Sequence, residues 1–271
     1  MKQSLLDVIF LSDKRKKLLL LLNDNAKNID YIKTSLNVTS TSIMPQIKIL
    51  KEKHLITYDQ EKDLYRLSDI GKIIVDNMQP LLDTVNVFEE NLEYWATRDL
   101  SAIPNHLLKN IGELGHCILI QPDLNHMFEL PQEVVDNMSK SNNIMAITSC
   151  FHPSYPSLFL EIAKKGIDIS IILTESTFEK LKNEFSDKTK EFLDLNNTDF
   201  YICNERIKLT ASAITDRFIF LCFFDKDQRF DLQYIMSFDD SALNWGEKLF
   251  QYYKSISTPV TKVPEIQKEN K

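Results

Sequence analysis

The side chains with the most chemistry to offer stand close together. Thr39, Ser40, Thr41, Met44, Gln46 and Lys48 are followed by Lys62. Hydroxyls and an amide hydrogen-bond to phosphate oxygens or base edges, and ammonium groups neutralise phosphates. Ile43, Ile47 and Leu50 recur at four and three residues, the buried stripe of one helix, and the polar residues from Ser40 to Lys48 fall on its other face. That is the chemistry of a major-groove reader rather than of a catalyst. The chain has no Ser elbow, no Gly-rich phosphate loop and no HExxH helix, and with five glycines and five histidines in all it has little material for a dinucleotide or metal site. No catalytic residue, cofactor or metal is expected.

A second polar-aromatic group follows a strand-like run and precedes a helix N-terminus, where α/β folds commonly bind ligands. In Cys150-Phe151-His152-Pro153-Ser154-Tyr155, His152, Ser154 and Tyr155 offer polar contacts and Phe151 an apolar wall, and Asp216 in a later turn joins them as a candidate effector contact. The alternative is a rigid turn made by Pro153 and Pro156. His116, Cys117, Cys150 and His152 are the residues from which a metal or redox centre would be built, but they lack ligand spacing.

These groups need elements to position them. Ile29, Ile32 and Leu36 mark one face of a short helix, closed at Asn37, which tolerates the left-handed conformation of a helix end. A hydroxyl among residues 39–42 can cap the next helix, which ends near Lys53. Pro45 inside it predicts a kink, and nothing in the sequence explains it. Residues 55–58 are β-prone, 59–63 a polar turn, and 64–67 a returning strand. Two helices, a tight turn and a hairpin make a winged helix-turn-helix, expected over residues 1–68 with double-stranded DNA as its partner; the competing use of such a module is protein contact. Ahead of it, Ser12 and Asp13 can cap a helix bearing Lys14, Arg15, Lys16 and Lys17, either a solvated basic end or further phosphate contacts.

Charge supports the division. The net −7 splits at residue 68 into 12 Lys+Arg against 8 Asp+Glu before it and 20 against 31 after it, so only the first part attracts phosphate. Cys117, Cys150, Cys203 and Cys222 are widely spaced in apolar runs, the usage of buried thiols in a reducing cytoplasm. No apolar run suits a signal or a membrane span, so a cytoplasmic protein without membrane contact is expected.

Ile74, Met78, Leu81, Val85, Phe88, Leu92 and Trp95 alternate at four and three residues, a heptad seam expected over a linker helix at 69–97, with Pro80 bending or splitting it. The seam packs either on its own chain or on a second subunit, and a homodimer with two DNA-reading helices is the preferred expectation. From residue 98 to 257, β-branched runs at 117–121, 144–149, 167–173, 200–203, 208–214 and 218–224 alternate with helical patterns at 131–138, 156–165, 175–184, 189–195 and 240–254. This predicts an α/β effector domain with a mixed, partly parallel sheet, giving an α+β or α/β fold overall. Residues 258–271 are expected as a disordered tail.

The stretch LNVTSTSIMPQIKILKEKHLITYDQEKDLYRLSDIGK, with its Leu55-Ile56 pair and its closing phrase from Leu67 to Gly71, resembles archaeal and bacterial winged helix-turn-helix regulators. FHPSYPSLFLEIAKKGIDISIILTE, AITDRFIFLCFFD and SFDDSALNWGEKLFQYY resemble the effector domain of archaeal regulators of the Methanosarcina-specific type, whose texture is phospholipase-D-like. The resemblance implies a methanogenesis-related transcription regulator, and its second domain is expected to sense a small molecule or a partner. It implies no catalysis, because a phospholipase-D site needs H-x-K-x4-D and the nearest match, Arg206-Ile207-Lys208 with Ala213 in the Asp position, lacks the nucleophile. The rival expectation is a scaffold domain without an effector.

Overall fold

A computed structural model describes residues 4–121, 132–230 and 233–260. The chain divides into two compact units, Met1–Leu82 and Asp83–Lys271, each considered by itself.

The first unit opens with α1 (Leu5–Phe10) and α2 (Asp13–Leu21), whose first turns are capped by Ser4 and Ser12 hydroxyls accepting from the backbone three residues on. α3 (Ile29–Leu36) is capped by the Asn28 side chain and stops where Asn37 turns left-handed at φ 50°. α4 (Ser40–Glu52) follows and runs unbroken through Pro45. The strands β1 (Ile56–Asp59) and β2 (Leu64–Leu67) pair antiparallel from Ile56 opposite Leu67 to Asp59 opposite Leu64, and Lys27 bridges to Tyr65 on the other side of β2. Ile32, Ile43, Ile47, Leu50, Leu55 and Ile56 close the core with Leu18, Leu19 and Val75.

The phrase from Leu67 to Gly71 has a physical job. Ser68 donates its hydroxyl to His54 O and accepts Gly71 N–H at 3.0 Å, which starts the next helix, α5 (Asp69–Glu90). A Cβ on Gly71 would lie 1.9 Å from Leu55 O, so only glycine lets that helix pass the end of the hairpin.

α5 is one helix of 22 residues and does not split at Pro80; the break comes at Asn91, before α6 (Leu92–Thr97). Trp95 folds back there, donating its indole N–H to Val87 O at 2.9 Å and meeting Phe88 edge-on. The expected heptad seam is therefore not one stripe. Met78 and Trp95 are buried in cores of their own chain, Ile74 and Phe88 pack partly against those cores, and Leu81, Val85 and Leu92 are exposed. The drift between a seven-residue repeat and 3.6 residues per turn, and the reversal at Asn91, divide them.

The second unit is built on an eight-stranded sheet whose strands are β3 (Ile118–Ile120), β4 (Asn143–Thr148), β5 (Asp168–Leu173), β6 (Thr198–Cys203), β7 (Leu209–Thr215), β8 (Ile219–Phe223), β9 (Tyr234–Ser237) and β10 (Ser257–Pro259). Their order is β10-β6-β5-β4-β7-β8-β9-β3, with β4, β5 and β6 parallel and every other pair antiparallel. The short α7 (Asn105–Leu108) precedes β3. Between the strands lie α8 (Gln132–Met138), α9 (Tyr155–Lys164), α10 (Glu175–Glu184), α11 (Ser186–Asp194) and α12 (Asp240–Ser255). Strand alternation sends Ile171, Leu173, Phe220 and Cys222 to the face covered by α8 to α11, and Ile172, Leu221 and Phe223 to the face covered by α12 and residues 95–114.

The mixed, partly parallel sheet follows the expectation, and the runs expected at 208–214 and 218–224 pair as an antiparallel hairpin, β7 with β8. β9 was not foreseen, and Thr258 and Pro259 correct the expected tail. They pair with β6 as an edge strand because Val260 N–H reaches Phe200 O at 2.9 Å and Thr258 bonds Asn204. Residues 261–271 lie outside the described residues.

Candidate nucleic-acid interface and ligand pocket

At the start of α4, Thr39 occupies the N-cap position, but its hydroxyl does not cap the helix as expected. It contacts the Thr41 hydroxyl at 3.0 Å, and Ser42 donates to Thr39 O. Among the described residues no acceptor meets the Ser40 and Thr41 N–H groups, so they remain open at the positive end of the helix, the arrangement that favours a phosphate. Thr39, Ser40, Thr41, Met44 and Lys48 are exposed together, with Pro45 beside them. Lys62 is exposed in the hairpin turn, where Asp59 accepts from the Glu61 and Lys62 N–H groups.

Gln46 differs from the others. It is half-buried, and its Oε1 accepts from Arg15 Nη1 at 2.9 Å. Arg15 is 8% exposed and also bonds Val8 O, so it ties α1, α2 and α4 together instead of reaching for phosphate. A guanidinium only donates, so the Gln46 oxygen must face it and the amide N–H₂ is what remains for a base edge. Lys16 pairs with Asp13, while Lys14 and Lys17 are exposed. Arg66, not singled out from the sequence, is exposed on β2 and reaches Thr57 across the hairpin. The outward position it takes in Leu64-Tyr65-Arg66-Leu67 was the available signal.

The second site is a pocket between one face of the sheet and α9, α10 and α11, enclosing about 450 Å³ of space that includes open solvent. Cys150, Phe151 and Tyr155 line it. His152 and Ser154 do not: the His152 ring meets the Ser154 hydroxyl at 2.6 Å and accepts the Ser154 N–H at 3.2 Å, a local lock on the turn before α9. Asp216 is a correction. It lies in the β7–β8 turn, at the end of β4 away from Cys150, and accepts the Asn142 N–H at 3.0 Å and its side-chain amide at 2.6 Å. Its burial alone would push the carboxyl pKa up, but those bonds hold it below the usual range.

Burial also raises the Cys150 thiol, pushes Cys117 to about 12, and pushes the Tyr155 phenol to about 12. These are the protonated groups of an apolar setting, unsuited to nucleophilic work near neutrality. His116 and Cys117 sit by Glu90, away from Cys150. The His116 ring meets Glu90 Oε1 at 2.9 Å, and Cys117 N–H donates to Glu90 Oε2 at 3.0 Å. Arg206 bonds Gln228 and Lys208 bonds Ser101, so both basic residues of the incomplete H-x-K-x4-D match are held by neutral partners. Among the described residues no cluster of three or more His, Cys, Asp or Glu could hold a metal ion, and no helix is long and apolar enough to cross a membrane.

Residues 3–86 match the family model described as methanogenesis regulatory protein FilR1, N-terminal domain, and residues 127–256 match that of the same protein's middle domain. The methanogenesis regulatory protein FilR1 of Methanothrix harundinacea (strain 6Ac) is 24% identical over 251 residues, 91% of this chain and 56% of that protein, so the chain spans little more than half of its relative's length. Among solved structures, TrmBL2, an archaeal chromatin protein, gives a TM-score of 0.43 at 14% identity, over 94% of this chain and 97% of that one. Nuc of Salmonella typhimurium, a phospholipase D family member, gives 0.39 at 11% identity, over 54% of this chain and 99% of that one. At these scores neither structure fixes a fold or a function.

Proposed function

We propose that this chain, which carries the N-terminal and middle domains of the methanogenesis regulatory protein FilR1 family, is a DNA-binding transcription regulator. The observation that carries the reading is the α4 surface, with an open helix N-terminus, exposed hydroxyls from Thr39 to Thr41 and an exposed Lys48, in a domain that the family model matches. Thr39, Ser40, Thr41, Met44, Gln46, Lys48 and Lys62 are the proposed DNA contacts, with Lys48 and Lys62 on phosphates and Gln46 reading a base edge as a donor.

The reading extends to a homodimer and a sensor. The exposed residues of α5, Ile70, Ile73, Leu81 and Val85, are an apolar surface suited to a second copy, which would set two α4 helices on a two-fold site. The pocket by Phe151 and Tyr155 is the proposed effector site, and the second unit is proposed to bind without catalysis, since its nearest match to H-x-K-x4-D has Arg206 where the nucleophile belongs. Incubating the full chain with fragmented genomic DNA and sequencing what is retained tests the reading. Recovery of discrete sites supports a regulator. A folded protein that retains no fragment at low salt overturns it and leaves a protein-contact module.

A further inference from the structure

The pocket of the second unit is chemically one-sided. Phe151, Phe159, Ile171, Leu173, Phe192 and Phe200 give it apolar walls, and its threonines have spent their hydroxyls on the backbone. Thr148 donates to Cys150 O at 2.7 Å, Thr177 to Ser149 O at 3.2 Å and Thr189 to Phe185 O at 2.9 Å. Of the lining hydroxyls, that of Tyr155 forms no hydrogen bond among the described residues. A ligand dependent on many hydrogen bonds finds too few partners here, whereas a hydrocarbon finds a matching wall.

A second chamber, about 390 Å³ of space with open solvent included, lies alongside, reaching Met138, Ala213 and Phe220, and the two share Thr148, Tyr155, Phe159 and Ile171 as walls. Tyr155 and Phe159 pack edge to face at 5.8 Å, so a pair of side chains, not backbone, forms much of the partition. The mouth is cationic. Lys188 lines the pocket and donates to the Ser157 hydroxyl on the first turn of α9, and Lys180 lies 4.6 Å over the ring of Phe151, which packs on Phe185. Neither ammonium has an acidic partner among the described residues.

We propose that this pocket binds an amphipathic anion, a hydrocarbon chain carrying a carboxylate, with the chain between α9 and the sheet and the carboxylate at Lys188 and Ser157. The inference rests on the sensor reading above and names the class of ligand. A chain too long for the first chamber enters the second when Tyr155 turns aside.

Isothermal titration of the full chain with saturated carboxylates from butanoate to dodecanoate, below their micelle-forming concentrations, and with the matching alcohols tests it. Affinity should rise roughly fourfold per methylene and then level off where the space is filled. Each alcohol should bind roughly tenfold more weakly than its acid. Lys188→Gln, at the mouth, should erase that difference and keep the methylene increment, and Tyr155→Ala should move the plateau to longer chains. Absence of saturable one-to-one binding by the wild type overturns the proposal, as does an acid preference that survives Lys188→Gln. Binding that obeys these rules but leaves DNA affinity unchanged upholds the pocket and removes the sensor role.

Discussion

Gln46→Ala separates two jobs that fall on one side chain. Its Oε1 accepts from Arg15 Nη1 at 2.9 Å, and Arg15, 8% exposed, also donates to Val8 O. Truncating the amide leaves a charged N–H without its protein partner. A hydrogen bond to a charged group is worth about 1.5–3 kcal/mol, and because Gln46 is half-buried, water recovers part of it, so about 1–1.5 kcal/mol of stability should be lost. With a urea dependence of about 1 kcal/mol per molar for a unit of this size, the midpoint should fall by roughly 1 M. Far-UV circular dichroism in urea reads this without DNA. If Gln46 also donates to a base, affinity for the recovered site should fall by a further 1–3 kcal/mol or so, with little change on unrelated DNA. Lys48→Ala is the control. Lys48 is exposed, its contact with Glu52 at 4.0 Å is a weak surface pair, and its loss should leave the urea midpoint unchanged. A wild-type midpoint for Gln46→Ala would refute the claim that the Arg15–Gln46 bond holds α2 against α4.

The Glu90–His116 pair predicts a pH signature. The hydrogen bond and the charge of Glu90 raise the His116 pKa; for Glu90, burial pushes up, but the His116 ring and the Cys117 N–H together hold it below the usual range. The imidazolium's contribution is full below its ordinary 6.5 and is lost as pH rises through the raised value, while the carboxylate's is full above its ordinary 4.5 and is lost as pH falls through the lowered one. In Glu90→Gln the His116 ring resonance should titrate closer to 6.5 than in the wild type; an unmoved titration contradicts the pairing. Gly71→Ala should cost about 3 kcal/mol or more because its Cβ would meet Leu55 O, whereas Gly166→Ala, with φ at +89° and nothing within 4 Å, should cost only about 1 kcal/mol; thermal melts rank the two. Ile73→Glu or Leu81→Glu should convert a dimer to a monomer in light scattering, and a wild-type monomer at tens of micromolar excludes the α5 interface.

The elements of the first unit were legible because each carries its own punctuation: the Asn28 cap, the left-handed Asn37, the apolar triplets of α3 and α4, and a hairpin bounded by acidic turn residues. The alternating runs of the second unit likewise announced six of its eight strands. β9 and β10 escaped notice because a four-residue strand buried on both faces and a three-residue edge strand show no period. Pairing partners are what define them. The same limit explains the site residues. Helical spacing puts Gln46 on the outer side of α4, and only the approach of Arg15 from α2 reveals that its oxygen is engaged. Spacing also groups Met78 and Trp95 with Leu81 and Val85, although Trp95 turns back onto Val87. Asp216 is polar, in a turn and of ligand type, but a turn's place at one end of a sheet or the other depends on strand direction. The Tyr155 partition and the Lys188 mouth bring together α9 and α11, which no local pattern relates.

On the proposed function, α4 and its hairpin hold DNA through phosphate neutralisation and local readout. The most direct measurement is the affinity of the full chain for a recovered genomic site across salt concentration, for the wild type and for Lys48→Ala. Counterion release predicts that the logarithm of the binding constant falls linearly with the logarithm of salt, with a slope reduced by about 1 in Lys48→Ala. Affinity indifferent to salt, or a slope that Lys48→Ala leaves unchanged together with its affinity, would contradict it.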